Sequence, residues 1–206
     1  MNSVEEAIRA HLDEFPSEFA PLSEMARKYL RYCSAVDPDG ALLIAHMPWM
    51  AYLAYAFRLF PPAKRGWLRK YAKTCHLDIP SPCRPLFSTV NGCFAFGFAL
   101  FGMSPSMLKN PPSLDRSKLQ CLDIATANEH WKHGYARARD GFHFGGRTYS
   151  CTENVGYFLY GKSHIVALLK DGRQAGEWND FTSFLDDELR AAEEYACSTI
   201  QPDWWH

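Results

Sequence analysis

Four short strand-like runs separated by turn residues, then one amphipathic stretch, fill Phe142 to Leu189. Phe142 to Phe144, Gly156 to Tyr160, Ile165 to Leu169 and Gln174 to Trp178 have the length of strands. Gly161-Lys162 and Asp171-Gly172 separate the last three. Asp-Gly marks a tight turn because glycine accepts a positive φ without a steric penalty. Asp180 is placed to cap a helix, and Phe181, Phe184, Leu185, Leu189 and Ala192 recur on one face of it. That face needs a cover, and the neighbouring sheet supplies one. The fold class expected is therefore α+β, a twisted, mainly antiparallel sheet with packed helices. The stretch contains no complete catalytic or metal signature, which points to binding rather than catalysis.

The N-terminal part reads differently. Ser3 with Glu6 has the spacing of a capping box, and Val4, Ile8 and Leu12 repeat at helical spacing. Pro16 breaks the chain. Leu22, Met25, Ala26, Tyr29 and Leu30 form a second apolar stripe, which ends before the Asp37-Pro38-Asp39-Gly40 turn. Ala41 to Phe57 is the most apolar stretch. At 17 residues it is short for a bilayer span, so a buried core helix is expected over about 41–59, bent or started by Pro48. Residues 1–62 thus read as an all-helical N-terminal extension. A further helix is expected near Trp67, Leu68 and Tyr71. Phe94, Phe96 and Phe98 alternate with small residues and suggest one strand. Met103 to Ser117 is a Pro- and Ser-rich loop, Leu119 to Ile124 a strand, and Thr126 to Tyr135 a short helix. The last residues, QPDWWH, read as a tail.

Composition narrows the function. Hydrophobic residues are 47% and charged residues 22%, enough to bury a core. A formal charge of -1 gives no overall pull towards nucleic acid or membrane. Charge is nevertheless unevenly placed. Lys64, Arg65, Arg69, Lys70 and Lys73 are a basic segment, and Glu177, Asp180, Asp186, Asp187, Glu188, Glu193 and Glu194 an acidic one. Each reads as a solvated helix face or as a contact surface for a charged partner. The seven cysteines include no CxxC pair and suit neither a zinc site nor a disulfide framework, so a reducing compartment, the cytoplasm, is expected. The N-terminus has early acids and no apolar core, unlike a signal peptide.

Fragments of chemistry remain. His130 and His133 would share a helix face, with His143 or Cys151 as a further metal ligand, but the glutamate placement of a zinc hydrolase is missing. Cys93, after Asn91-Gly92, and Cys151, near Glu153, are nucleophile candidates only if a base lies close. The ordinary reading of Cys93 is a core residue. Gly145-Gly146-Arg147 lacks phosphate-loop spacing and reads as a hairpin turn. Lys132, Arg137 and Arg139 beside Trp131 and Tyr135 are the one basic-aromatic cluster suited to nucleic acid. Aromatics make up 15%, and Trp131, Trp178, Trp204 and Trp205 are candidates for exposed anchors.

From Trp67 to Leu189 the order of features resembles the SUKH superfamily, named partly for fungal cell-wall regulators and containing many bacterial toxin-immunity proteins. The resemblance rests on a helix followed by Ile79-Pro80, Leu86-Phe87 and Asn91-Gly92, then on the aromatic run ending at Phe101-Gly102. It continues with the strands from Gly156 to Leu169 before Asp171-Gly172, and with Trp178 before Phe181 and Phe184-Leu185. Beside the helical extension over 1–62 and the tail over 199–206, it implies a SUKH-like α+β domain over 63–198. It also implies a cytoplasmic bacterial protein, without catalysis or cofactor, that occludes a cognate toxin domain such as a nuclease. Trp131, Trp178, Asp186, Asp187 and Glu188 are the expected contact residues, with no direct nucleic-acid or membrane contact. An exposed strand edge leaves monomer and homodimer both open. The alternatives are a small Cys/His-dependent or metal-dependent hydrolase, and a regulatory protein-binding scaffold.

Overall fold

Strand follows strand along this chain, and each pairs with the one before it. The computed structural model describes residues 3–47, 54–109, 120–148 and 154–199. Among these, nine strands form one sheet in chain order: β1 (Ala35–Val36), β2 (Leu42–His46), β3 (Tyr55–Leu59), β4 (Cys93–Ala95), β5 (Phe98–Leu100), β6 (Phe142–Thr148), β7 (Asn154–Tyr160), β8 (His164–Leu169) and β9 (Gln174–Trp178). Every neighbouring pair is antiparallel. Six helices accompany it: α1 (Ser3–Asp13), α2 (Ala20–Tyr29), α3 (Trp67–Thr74), α4 (Arg84–Thr89), α5 (Ile124–Glu129) and α6 (Phe181–Thr199). The α+β class and the antiparallel sheet are as expected.

The all-helical reading of residues 1–62 is corrected. Helices α1 and α2 are present, but Ala41 to Phe57 contributes β2 and β3 rather than a helix. Leu42, Leu43, Ile44 and Ala45 are all buried. A strand covered on both faces loses its alternation and looks like a helix segment in sequence. The ladder then runs across residue 62, since β3 pairs with β4 through Leu59↔Cys93. Pro48 lies outside the described residues.

The aromatic run is corrected as well. It is a hairpin, β4 and β5, turning at Phe96-Gly97 with Ala95 opposite Phe98. Phe96 carries the positive φ (55°) there, a costly conformation for a bulky side chain. Its ring packs 5.2 Å from Phe57 and 5.3 Å from Tyr29 (centroid distances), which holds the turn. Gly145-Gly146 is not a turn either. Both glycines sit inside β6, and Gly145 lies next to a bulge. The strand expected at Leu119–Ile124 reduces, in its described part, to one parallel bridge between Gly102 and Asp123.

Helix α6 holds one face of the sheet. Asp180 Oδ1 accepts the Ser183 amide at 2.8 Å and so caps it. Phe184 is fully buried and meets Phe98, Phe144, Tyr157 and Trp178 at centroid distances of 4.9–5.9 Å. Burial of such a ring contributes roughly 1.5–3 kcal/mol. Helix α2 packs beside α6, where Glu193 accepts from Tyr29 Oη (2.5 Å) and Lys28 Nζ (2.7 Å).

Candidate functional site

Successive strand residues point to opposite sides of a sheet, so a strand reports which partner covers which face. In β7, Tyr157 meets Phe184 of α6, whereas Phe158 stacks on His143 and meets Tyr135. Helix α6 therefore covers one face, and the segment after α5 partly covers the other. On that second face the register aligns Phe94, Ala99, Gly146, Gly156 and Leu168 across five strands. Ala99 and Gly146 are small, and a trough of about 710 Å³ opens above them. Phe94, Phe101, Leu122, Trp131 and Tyr135 wall it, and among the described residues no carboxylate lines it.

Two large apolar residues stand exposed on this wall, Trp131 at 38% and Leu122 at 37%. Phe101 buttresses Trp131 edge-on at 5.4 Å. Asn128 fixes this layer to the sheet: its side-chain amide donates to the His143 carbonyl (2.9 Å) and accepts the His143 amide (3.0 Å). Beneath the wall His143 is buried, flanked by Phe101, Tyr135 and Phe158, and neither ring nitrogen makes a hydrogen bond. Burial lowers its pKa to about 4, against a smaller opposing pull from the backbone of Ala127 and Gly145.

The five expected contact residues do not form one surface. Trp131 lies on the trough. Trp178 packs on Phe184 on the opposite side and donates from Nε1 to Asp187 (2.9 Å). Asp186 pairs with Arg190 on the exposed side of α6. Glu188 is corrected outright: it is buried, pairs with Arg147 and accepts from Tyr157 Oη. The acidic segment thus presents Asp186 and Asp187 outward and turns Glu188 inward. Helical spacing carries that signal, because Glu188 stands four residues after Phe184 and three after Leu185, both core residues. Leu122 and Phe101 reach the site through cross-strand pairing, which no local pattern announces.

The remaining candidates are scattered. His130 and His133 are both exposed, and His130 lies 3.8 Å from Glu129. Among the described residues no group of three or more His, Cys, Asp or Glu is placed to hold a metal ion. Cys93 is completely buried, and burial pushes its thiol up to about 12, as it does for Cys83 and Cys121. A nucleophilic cysteine needs the opposite shift. Cys151, Glu153, Trp204 and Trp205 lie outside the described residues. Among the described residues no helix is long and apolar enough to cross a membrane. Comparison with known proteins gives no matching family model, no matching curated protein and no matching solved structure.

Proposed function

We propose that this chain is a non-catalytic binding protein, and that its cognate partner is a bacterial toxin domain which it occludes in the cytoplasm. One observation carries the binding reading. The trough on the partly covered sheet face is floored by small residues and walled by aromatics, with Trp131 and Leu122 exposed together on its rim. Such a wall suits a docking face, since buried aromatic anchors dominate interface energetics. The SUKH-like order of elements adds the toxin as partner. His130, Arg147 and Lys170 also line the trough, which favours a toxin surface that offers apolar side chains with acidic or neutral flanks. Asp186 and Asp187, on the far side of the sheet, fall outside that footprint.

Co-expression with the toxin domain encoded beside this chain tests the proposal. The intact chain is expected to restore growth. Trp131→Ala is expected to weaken the complex by roughly 2 kcal/mol, about 30-fold in Kd, in a titration of the purified pair. Asp186→Asn is expected to leave it unchanged. Equal killing with and without the chain, for every neighbouring toxin, rejects the toxin reading. Protection that Trp131→Ala and Leu122→Asp both leave intact moves the contact elsewhere.

A further inference from the structure

We propose that a second pocket, between the start of α3 and the turn Pro105–Leu108, binds a phosphate monoester that carries a planar aromatic group, the chemistry that mononucleotides and aryl phosphates share. The pocket is separate from the trough and its argument does not depend on the toxin reading. It encloses about 830 Å³, within the size range of small-molecule sites. The floor is apolar and closed. Ala41, Phe60 and Cys121 are 2%, 7% and 8% exposed and form a small cluster of their own beside the main core.

The rim is cationic. Lys64, Arg65, Lys70 and Lys109 line the mouth and are exposed. Among the described residues none of the four side chains has an ion-pair or hydrogen-bond partner. Among the described residues Asp39 is the one carboxylate on the lining, and it is engaged in another contact. Four cations around one mouth repel one another, and a dianionic phosphate relieves that repulsion.

Between floor and rim stands Trp67. Its indole Nε1–H is buried and has no hydrogen-bond partner. A buried donor left unmatched carries a free-energy cost that an incoming acceptor removes. The Trp67 and Phe60 rings offer flat apolar surface for the ligand body, while the phosphate stays at the basic mouth. Polar groups elsewhere on the lining are already satisfied: Asn91 exchanges two hydrogen bonds with the Met103 backbone, and Ser106 Oγ bonds Ser104 Oγ. Specificity therefore falls to the cations and the indole.

Calorimetric titration of the full chain with AMP, adenosine, 1-naphthyl phosphate and inorganic phosphate tests this. At least one of AMP and 1-naphthyl phosphate is expected to bind saturably at one site per chain. Its uncharged parent and inorganic phosphate should each bind about tenfold or more weakly, and the affinity should fall as salt is raised. AMP binding together with the naphthyl ester identifies a general site for aromatic phosphate monoesters, and AMP alone a nucleotide site. The triple substitution K64Q/R65Q/K70Q touches only exposed side chains. It is expected to lower affinity at least about tenfold at an unchanged Tm. Trp67→Phe keeps the ring, removes the donor and should weaken binding by a smaller factor. Failure of both AMP and 1-naphthyl phosphate to bind, or binding that the triple variant leaves untouched, overturns the proposal. Tight binding of single-stranded RNA with none of AMP also overturns it and makes the rim a polyanion surface.

Discussion

Glu188 stands between Asp187 and Leu189 in sequence, yet it belongs with Leu189. Its carboxylate is buried with the Arg147 guanidinium and the Tyr157 hydroxyl. Removing one member of a buried pair strands the other charge, a loss of roughly 3–5 kcal/mol. Glu188→Ala should therefore lose that much stability in urea titration, whereas Asp186→Ala, on the exposed side, should lose under about 1 kcal/mol. Equal effects would remove Glu188 from the core. His143 makes a second residue-scale prediction. Its folded pKa of about 4 lies below the ordinary 6.5, so the unfolded chain takes up the proton first. Stability should fall as pH drops from about 6.5 towards 4, by about 3 kcal/mol for this residue alone. His143→Phe retains an aromatic ring among Phe101, Tyr135 and Phe158 and should flatten that part of the pH profile. Parallel profiles for parent and variant would contradict the account.

At the scale of elements, two buried asparagines do work that backbone ladders do elsewhere. Asn128 binds α5 to β6, and Asn91 clips the chain before β4 to Met103. Gly102 sits beside the second clip, where a Cβ would overlap the Asn91 carbonyl. Its amide donates to the Leu122 carbonyl (2.8 Å) and its carbonyl accepts from Ile124 (2.9 Å). Gly102→Ala should thus destabilise the protein by about 1–3 kcal/mol, read as a lowered urea midpoint. An unchanged midpoint would mean that the Leu122 segment moves aside freely. Turns were legible where glycine takes the strained position: Gly161 and Gly172 have φ of 61° and 86°. The Phe96-Gly97 turn was not, because phenylalanine holds the positive φ and tertiary packing holds the phenylalanine. Strand β2 was hidden for another reason, since burial on both faces erases the period of two.

For the whole molecule, the sequence speaks most clearly where local chemistry decides. The β7–β9 strands, the Asp180 cap and the inner face of α6 lie where their patterns put them, and β6 starts where expected but runs on through Gly145-Gly146. The trough was legible only through Trp131. Its floor is assembled by register between residues as distant in sequence as Ala99 and Gly146, which no local pattern pairs. The basic segment around Lys64 was visible as charge, but the apolar floor that turns it into a pocket comes from Ala41, Phe60 and Cys121.

The strand order bears on how the protein is made. Each strand meets its partner in the stretch synthesised just before it, from β2 against β1 to β9 against β8. Growth on the ribosome can therefore add one ladder at a time, with a single unpaired edge advancing towards the C-terminus. The aromatic rings of β5, β6 and β7 stay wet on one side until α6, translated after them, docks Phe184 among them. A nascent chain halted before residue 181 would carry a finished sheet with its greasy side uncovered, the stage at which chaperones should bind it most avidly.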